Sequence, residues 1–391
     1  YPNTILLQLL SSIKYKNINK MSTYTLISLF AFTMSAICGF FMIPQILSFC
    51  KKKHLYDTPN ARKVHKNAIP RLGGVSFLPS MLIASIVALL VWSYTSKGNK
   101  IAISPWSVFF GLGITVIYLT GLIDDIFGVK AKKKFIVQIF VSSLLPISWL
   151  FINNLYGFMG IHSISFWVGA PLTVFILVFI MNATNLIDGI DGLSASLSFI
   201  ALGGFFYCFL VEGMWIYCIL IAGLMGVLVP FLYYNIFGKL EKNRKIFMGD
   251  SGSLTLGYIL GVLLVKFCMV NPNVMAYRKG SILFSITLLI IPIFDVCRVI
   301  IVRIMHGHGI FHPDKNHIHH KFMRTGLTQH QALIAILALA IAFIILNTML
   351  FCWVSPTIII LIDIALFVLL NVSVLNPIIK RNNKQPFQED K

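Results

Sequence analysis

Repeated apolar runs of about twenty residues constrain this chain more than any other feature. A run of that length matches the hydrocarbon thickness of a bilayer when helical. Eleven such runs are readable, at 24–49, 73–95, 105–123, 135–153, 164–184, 194–211, 214–236, 251–270, 281–303, 330–350 and 357–377. The expectation is an all-α, polytopic integral membrane protein with about 11 transmembrane helices. The first run is too long for the apolar part of a signal peptide and lacks a small-residue cleavage site, so it is read as a helix. The division expected is an N-terminal extension of unassigned status at 1–20, a transmembrane catalytic domain at 21–380 and a cytoplasmic tail at 381–391. Met21 is a candidate start.

Composition agrees with this reading. Of 391 residues, 57% are hydrophobic and 12% charged, about half the charge of a soluble domain. That argues against a soluble enzyme or a disordered chain. The formal net charge of +19 would suggest nucleic acid in a soluble protein. In a membrane protein it reflects Lys and Arg held on the cytoplasmic side. The seven cysteines form no CxxC pair, so they supply no disulfide or zinc framework.

The segments between runs alternate in charge. Those at 51–72, 124–134, 185–193, 238–250, 306–329 and from 380 onward include the ones rich in Lys and Arg. The positive-inside rule places this set in the cytoplasm. With eleven spans the N-terminus then lies outside and the C-terminus in the cytoplasm. Nearly all polar motifs fall in this set, so an active site is expected at the cytoplasmic membrane surface.

Four motifs carry the chemistry. Asp124 and Asp125 end the third run, and paired carboxylates suit Mg²⁺ or phosphate chemistry. Asn182, Asn185, Asp188 and Asp191 step by three, which in a helix lines amides and carboxylates along one face. Phe247-Met248-Gly249-Asp250-Ser251-Gly252-Ser253 opens the eighth run. Asp250 is expected to cap that helix, whose N-terminus could receive a phosphate-bearing ligand. Phe247 is a candidate for stacking on a base, or for packing at the membrane interface.

The fourth motif is a histidine cluster: His306, His308, His312, His317, His319 and His320. Six of the ten histidines lie in fifteen residues, which raises zinc. Yet no cysteine lies inside the cluster, and Lys315, Lys321 and Arg324 are interleaved with it. Cations among histidines suit an anionic substrate better than a metal. Arg62, Lys63, His65 and Lys66 precede Pro70-Arg71-Leu72-Gly73-Gly74, and Lys130, Lys132, Lys133 and Lys134 follow the Asp pair. Most of these read as positive-inside charge, with Lys132 and Lys134, beside the acidic site, as exceptions. Asp295 and Arg298 are spaced to pair. Lys266 and Asp363 are lone charges inside runs, with no role readable from sequence.

Together, Asp124-Asp125, residues 182–193, residues 247–253 and His317-Ile318-His319-His320 resemble the polyprenyl-phosphate N-acetylhexosamine-1-phosphate transferases of the glycosyltransferase 4 type. The likeness covers roughly residues 40–330. The run from Pro313 to His320 and the segment 62–74 look most like the bacterial undecaprenyl-phosphate GlcNAc-1-phosphate transferase branch. Enzymes of this family begin cell-wall polymers and the O-antigen of lipopolysaccharide.

The resemblance implies transfer of a sugar 1-phosphate, with GlcNAc favoured, from a UDP-N-acetylhexosamine to undecaprenyl phosphate. UMP is released, with Mg²⁺ or Mn²⁺ as cofactor. It implies a multi-pass protein of the bacterial inner membrane and a possible homodimer, with no nucleic-acid partner. By resemblance, Asp250 and Asn185 hold the metal. Asp124 and Asp125 lie near the acceptor phosphate, with Lys134 beside them. Asp188 and Asp191 belong to the nucleotide-sugar pocket, and these four aspartates are the catalytic candidates. Asn182, Phe247, His317, His319, His320, Lys134 and Asp295 are candidate substrate contacts. Direct displacement is preferred to a covalent aspartyl intermediate. Rival readings are a muramoyl-pentapeptide donor, a transporter and a lipid-diphosphate phosphatase. Transporter sites usually lie at the bilayer midplane, not gathered at one end as here.

Overall fold

The computed structural model describes residues 2–57, 69–95, 104–242, 244–307, 309 and 316–384, with backbone alone for 2–22, 240, 383 and 384. The chain is mostly helical. Helix α1 (Pro2–Lys53) packs on α2 (Phe77–Thr95) and α7 (Trp215–Ile236). A two-residue ladder, β1 (Tyr56–Asp57) with β2 (Ile69–Pro70), follows α1. Then come α3 (Pro105–Phe127), α4 (Ala131–Ile147), the hairpin β3–β4 (Asn154–Phe158, Ile161–Ser163), α5 (Phe166–Leu186) and α6 (Leu193–Val211). After α7 lie α8 (Gly249–Cys268), α9 (Ser281–Leu288), α10 (Ile290–Met305), α11 (Ile318–Arg324), α12 (Gln329–Leu350), α13 (Pro356–Leu369) and α14 (Asn376–Lys384).

Helix α8 is the axis of the bundle. Every residue from Ser251 to Cys268 is buried, and α3 and α5 make its largest contacts. Small residues permit this approach: a Cβ on Gly257 would lie 2.6 Å from the Met181 Cα of α5. Around this axis the outer helices turn apolar side chains outward, such as Phe41, Leu90, Phe175 and Ile334. Helices that are apolar on every side belong in lipid or in a core.

Among the described residues, nine helices are long and apolar enough to cross a membrane, and one bent pair adds a tenth. This fits an integral membrane protein and differs in detail from the eleven straight runs expected. The run at 135–153 forms only the 17 residues of α4, about 26 Å long, because the chain leaves the helix at Trp149, whose φ is 61°. The run at 281–303 breaks into α9 and α10, set 74° apart. Pro292, in the first turn of α10, has no N–H to offer a continuous helix across Leu289. Residues 2–20 continue α1, and α14 carries the helix past residue 380 to Lys384.

The topology brings the C-terminal ends of α3, α5 and α7 together with the N-terminal ends of α6, α8 and α12. All the motif residues that the structure describes sit at this one end.

Candidate active site

The centre of the site is the first turn of α8. Its leading N–H groups need acceptors, and the donors of Asp250 and Ser251 find them in the Asp125 carboxylate, at 2.8 and 2.9 Å. The cap therefore comes from α3 and not from Asp250, which lies inside the first turn. The two N–H groups expected to receive a ligand phosphate are occupied by Asp125. The arrangement requires glycine at 249. Its φ is +74°, and a Cβ there would lie 2.6 Å from the Asp125 carboxylate. Arg71 donates from Nε to the Asp125 carbonyl at 2.7 Å.

Lys134, from the first turns of α4, places its ammonium between two acids. It lies 2.6 Å from Asp250 and 3.1 Å from Asp124. Asn185, at the end of α5, donates from Nδ2 to Asp250 (3.1 Å) and to the Ser253 hydroxyl (2.8 Å). Its Oδ1 takes no donor among the described residues. Asp124 accepts the Val129 N–H at 2.5 Å, which folds the α3–α4 turn back onto its carboxylate.

The helical face expected from Asn182 to Asp191 does not form, because α5 ends at Leu186. Gly189 and Gly192 follow in the turn, and a glycine-rich stretch is a poor helix former. Asn182, within α5 like Asn185, is turned away from the rest by its own partners. Its carboxamide donates to Gln138 of α4 and to the Val178 carbonyl, each at 2.7 Å, and it does not line the cavity. Asp188 and Asp191 do line it. Burial, with the Asp250, Asp191 and Asp125 carboxylates nearby, pushes the Asp188 carboxyl up to about 7. Its side chain meets no hydrogen-bond donor among the described residues. Asp191 pairs with Lys245 at 2.6 Å.

The histidines divide into two layers. Asp295, fully buried, accepts from Arg298 (2.7 Å) and from the Ile318 N–H (2.8 Å), and it pairs with His317 Nδ1 at 2.8 Å. Arg298 also donates to the Asn316 carbonyl. This group anchors the start of α11 behind the cavity wall. His319 lies under the α5–α6 turn, where a Cβ on Gly189 would come within 2.1 Å of its Nε2. Burial first, then His320, pushes the His319 imidazole down to about 3, so it is neutral. Only His320 of the three reaches the cavity. His306 is exposed and bonds its own helix through Val302. His308, His312 and Lys315 lie outside the described residues, as do Arg62, Lys63, His65 and Lys66.

The cavity measures about 440 Å³, in the usual range for small-molecule sites. Asp124, Asp125, Asn185, Asp188, Asp191, Phe247, Asp250 and His320 form its wall. Lys134 stands behind, bonded to Asp124 and Asp250. Phe247 is fixed by its backbone, whose N–H donates to the Pro70 carbonyl at 2.7 Å and whose carbonyl accepts the Gly73 N–H at 2.8 Å. The β1–β2 ladder thus carries the loop that holds this ring in place.

Residues 107–268 match the model for glycosyl transferase family 4. A probable undecaprenyl-phosphate N-acetylglucosaminyl 1-phosphate transferase of Bacillus subtilis is 32% identical over 325 residues, which cover 80% of this chain and 82% of the relative. The chain belongs to glycosyl transferase family 4. Further relatives carry the name undecaprenyl-phosphate alpha-N-acetylglucosaminyl 1-phosphate transferase. That of Yersinia pestis is 27% identical over 82% of this chain and 81% of its own length. That of Escherichia coli K12 is 28% identical over 73% and 74%.

The segment matched to family 4 runs from the start of α3 to the end of α8, and so contains every cavity carboxylate named above. Asp295 and the histidines lie beyond it. Two further residues of this family 4 site, Asn235 and Lys245, did not stand out in the sequence, and Arg71 did so only within the segment 62–74. Asn235 accepts the Gly192 N–H (2.6 Å) and donates to the Ile246 carbonyl (2.7 Å). It thereby joins the loops of Asp191 and Phe247. Lys245 bridges Asp191 and the Asn235 carbonyl. Arg71 lines the cavity. Lys245 and Arg71 sit among positive-inside charge, and Asn235 near the end of the apolar run at 214–236.

Among the described residues, five carboxylates stand against three cations here, namely Lys134, Lys245 and Arg71. Added positive charge would help a cavity of this kind to accept an anionic substrate. Among the described residues no three His, Cys, Asp or Glu side chains converge to hold a metal. Mg²⁺, however, is commonly held by one or two carboxylates together with substrate phosphates. Asp250, the free Asn185 Oδ1 and the unpartnered Asp188 carboxyl fit that pattern.

Proposed function

We propose that this protein transfers N-acetylglucosamine 1-phosphate from UDP-GlcNAc to undecaprenyl phosphate, releasing UMP and starting a cell-surface polysaccharide. The observation that carries the reading is the gathering of Asp124, Asn185, Asp188, Asp250 and His320 on one cavity at the end of a membrane bundle. The names of the family 4 relatives support the choice of acceptor and sugar.

We place the cavity on the cytoplasmic face of the bacterial inner membrane. The described Lys and Arg residues of the segments rich in them, such as Lys134, Lys245 and Lys321, lie at the same end of the bundle, which fits the positive-inside rule. Counting α4 and the bent pair as spans gives eleven, with the N-terminus outside.

A divalent ion held by Asp250 and Asn185 would neutralise the donor diphosphate and favour departure of UMP. The chain's own residues do the rest. Lys134 keeps Asp124 and Asp250 close together despite their like charge. Asp124 faces the acceptor phosphate as its base or its positioner. That phosphate has a second pKa near ~6, so it attacks largely as the dianion. Its oxygen forms a bond to the sugar-bearing phosphorus as the bond to the UMP oxygen breaks. Phe247 offers a ring to the uracil, and His320 faces the sugar diphosphate. His317, His319 and Asp295 hold α11 in position, and Asn182 fixes α5 to α4 above the site.

The test is UMP release by purified protein given Mg²⁺, undecaprenyl phosphate and, separately, UDP-GlcNAc, UDP-GalNAc and UDP-MurNAc-pentapeptide. Release with UDP-GlcNAc alone is expected. Release with another donor would keep the reaction class and change the sugar.

A further inference from the structure

The broken span holds a second polar site, remote from the cavity. Thr287 lies in the last turn of α9, just before the 74° bend. Asn347 of α12 donates from Nδ2 to the Thr287 hydroxyl and to Asp363 Oδ2 of α13, each at 2.8 Å. The three residues are 3%, 0% and 1% exposed. Both N–H groups of the carboxamide are thus used. The oxygens Asn347 Oδ1 and Asp363 Oδ1 are buried, and neither meets a donor among the described residues.

Both orphaned atoms are acceptors, so what is missing is a bound cation or a proton shared between them. No Lys, Arg or His pairs with Asp363 among the described residues. The surroundings on the side of the β3–β4 hairpin are apolar: Leu283, Ile359 and Ile360, backed by Ile286, Phe351 and Val354. A carboxylate left alone in such a place is costly, and a charge within a membrane span marks a functional position.

The geometry points to a buried alkali-cation site formed by Asp363 Oδ1, Asn347 Oδ1 and the Thr287 hydroxyl oxygen. One carboxylate balances one positive charge, which favours a monovalent ion. Carboxylate, carboxamide and hydroxyl oxygens are ligands for hard cations. The C-terminal end of α9, the negative end of its dipole, stands at the same place. Interrupted spans elsewhere use such ends to hold Na⁺. The bound ion ties α9, α12 and α13 together and fixes the bend from which α10 departs.

The experiment is thermal unfolding of the full chain in detergent, at one pH and equal ionic strength, in NaCl, KCl or choline chloride. The midpoint is expected to rise saturably in NaCl or KCl over choline, by roughly 3 °C or more. Asp363→Asn should abolish the rise. Equal midpoints in all three salts would overturn the proposal, leaving Asp363 neutral through a bound proton. A rise that persists in Asp363→Asn would also overturn it, by placing the ion elsewhere. Should that variant not fold, Thr287→Val keeps the Asp363–Asn347 bond and is expected to weaken the alkali-specific rise. An undiminished rise there would count against the site.

Discussion

Lys134 and Asp250 meet at 2.6 Å across 116 positions of sequence, and the same ammonium reaches Asp124 at 3.1 Å. One cation therefore joins α3, α4 and α8 at the cavity wall. Lys134→Met leaves two carboxylates facing each other without it. Transfer is expected to fall at least about tenfold, which is ~1.4 kcal/mol of barrier, with Lys134→Arg retaining part of the rate. Steady-state UMP release measures this, and a rate within about twofold of wild type for Lys134→Met would contradict it.

Asp250→Asn keeps the shape of the side chain and removes its charge. The helix cap is supplied by Asp125 to backbone N–H groups, so the variant should fold. Transfer should nevertheless fall well beyond about tenfold. The two readouts, thermal midpoint and UMP release, separate a fold defect from a chemical one. A variant that keeps more than a tenth of the rate would remove Asp250 from the proposed metal site.

How much of this was legible in the sequence follows from contrast. In so apolar a chain, Asp124, Asp125, Asp188, Asp191 and Asp250 stand out, and they do share one cavity. What the sequence concealed depends on tertiary contact. That Asp125 caps α8 requires knowing that α3 ends against it. That Asn182 leaves the site depends on Gln138 of α4, 44 positions away, which takes its carboxamide. The inward facing of His317 and His319 depends on Asp295 and Gly189, far away in sequence. The bend at Leu289 has only Pro292 as a local mark, and Asn347 and Asp363 showed no link until α12 and α13 were packed.

Asp188 gives a pH dependence with a definite sign. Its carboxyl is raised from 3.8 to about 7 in the folded protein. Between those values the folded state holds a proton that the unfolded state has lost, so stability falls as pH rises through this window. Above pH ~7 the folded protein bears the full cost of an ionised Asp188 beside the other cavity carboxylates. Without divalent metal, Asp188→Asn should therefore be more stable than wild type at pH ~8, and the gap should close toward pH ~5. Thermal midpoints across this range test it, and a gap independent of pH would contradict the assignment.

The packing of Gly189 on His319 predicts a suppressor. Gly189→Ala drives a methyl into the buried imidazole, and overpacking of this kind costs about 1–3 kcal/mol. The thermal midpoint and the rate should both drop. Gly189→Ala combined with His319→Ala should recover the midpoint relative to Gly189→Ala alone. Additive losses in the double variant would show that the two residues do not meet.

This one cavity is expected to form a polyprenyl-diphospho-sugar. The most direct test is mass spectrometry of the lipid product made by wild type and by Asp250→Asn. Purified protein would receive Mg²⁺, undecaprenyl phosphate and UDP-GlcNAc. Undecaprenyl-diphospho-GlcNAc in equal amount to UMP is expected from the wild type, and neither from the variant. Folded wild-type protein that yields no lipid-linked sugar, or a variant that yields as much as wild type, would contradict it.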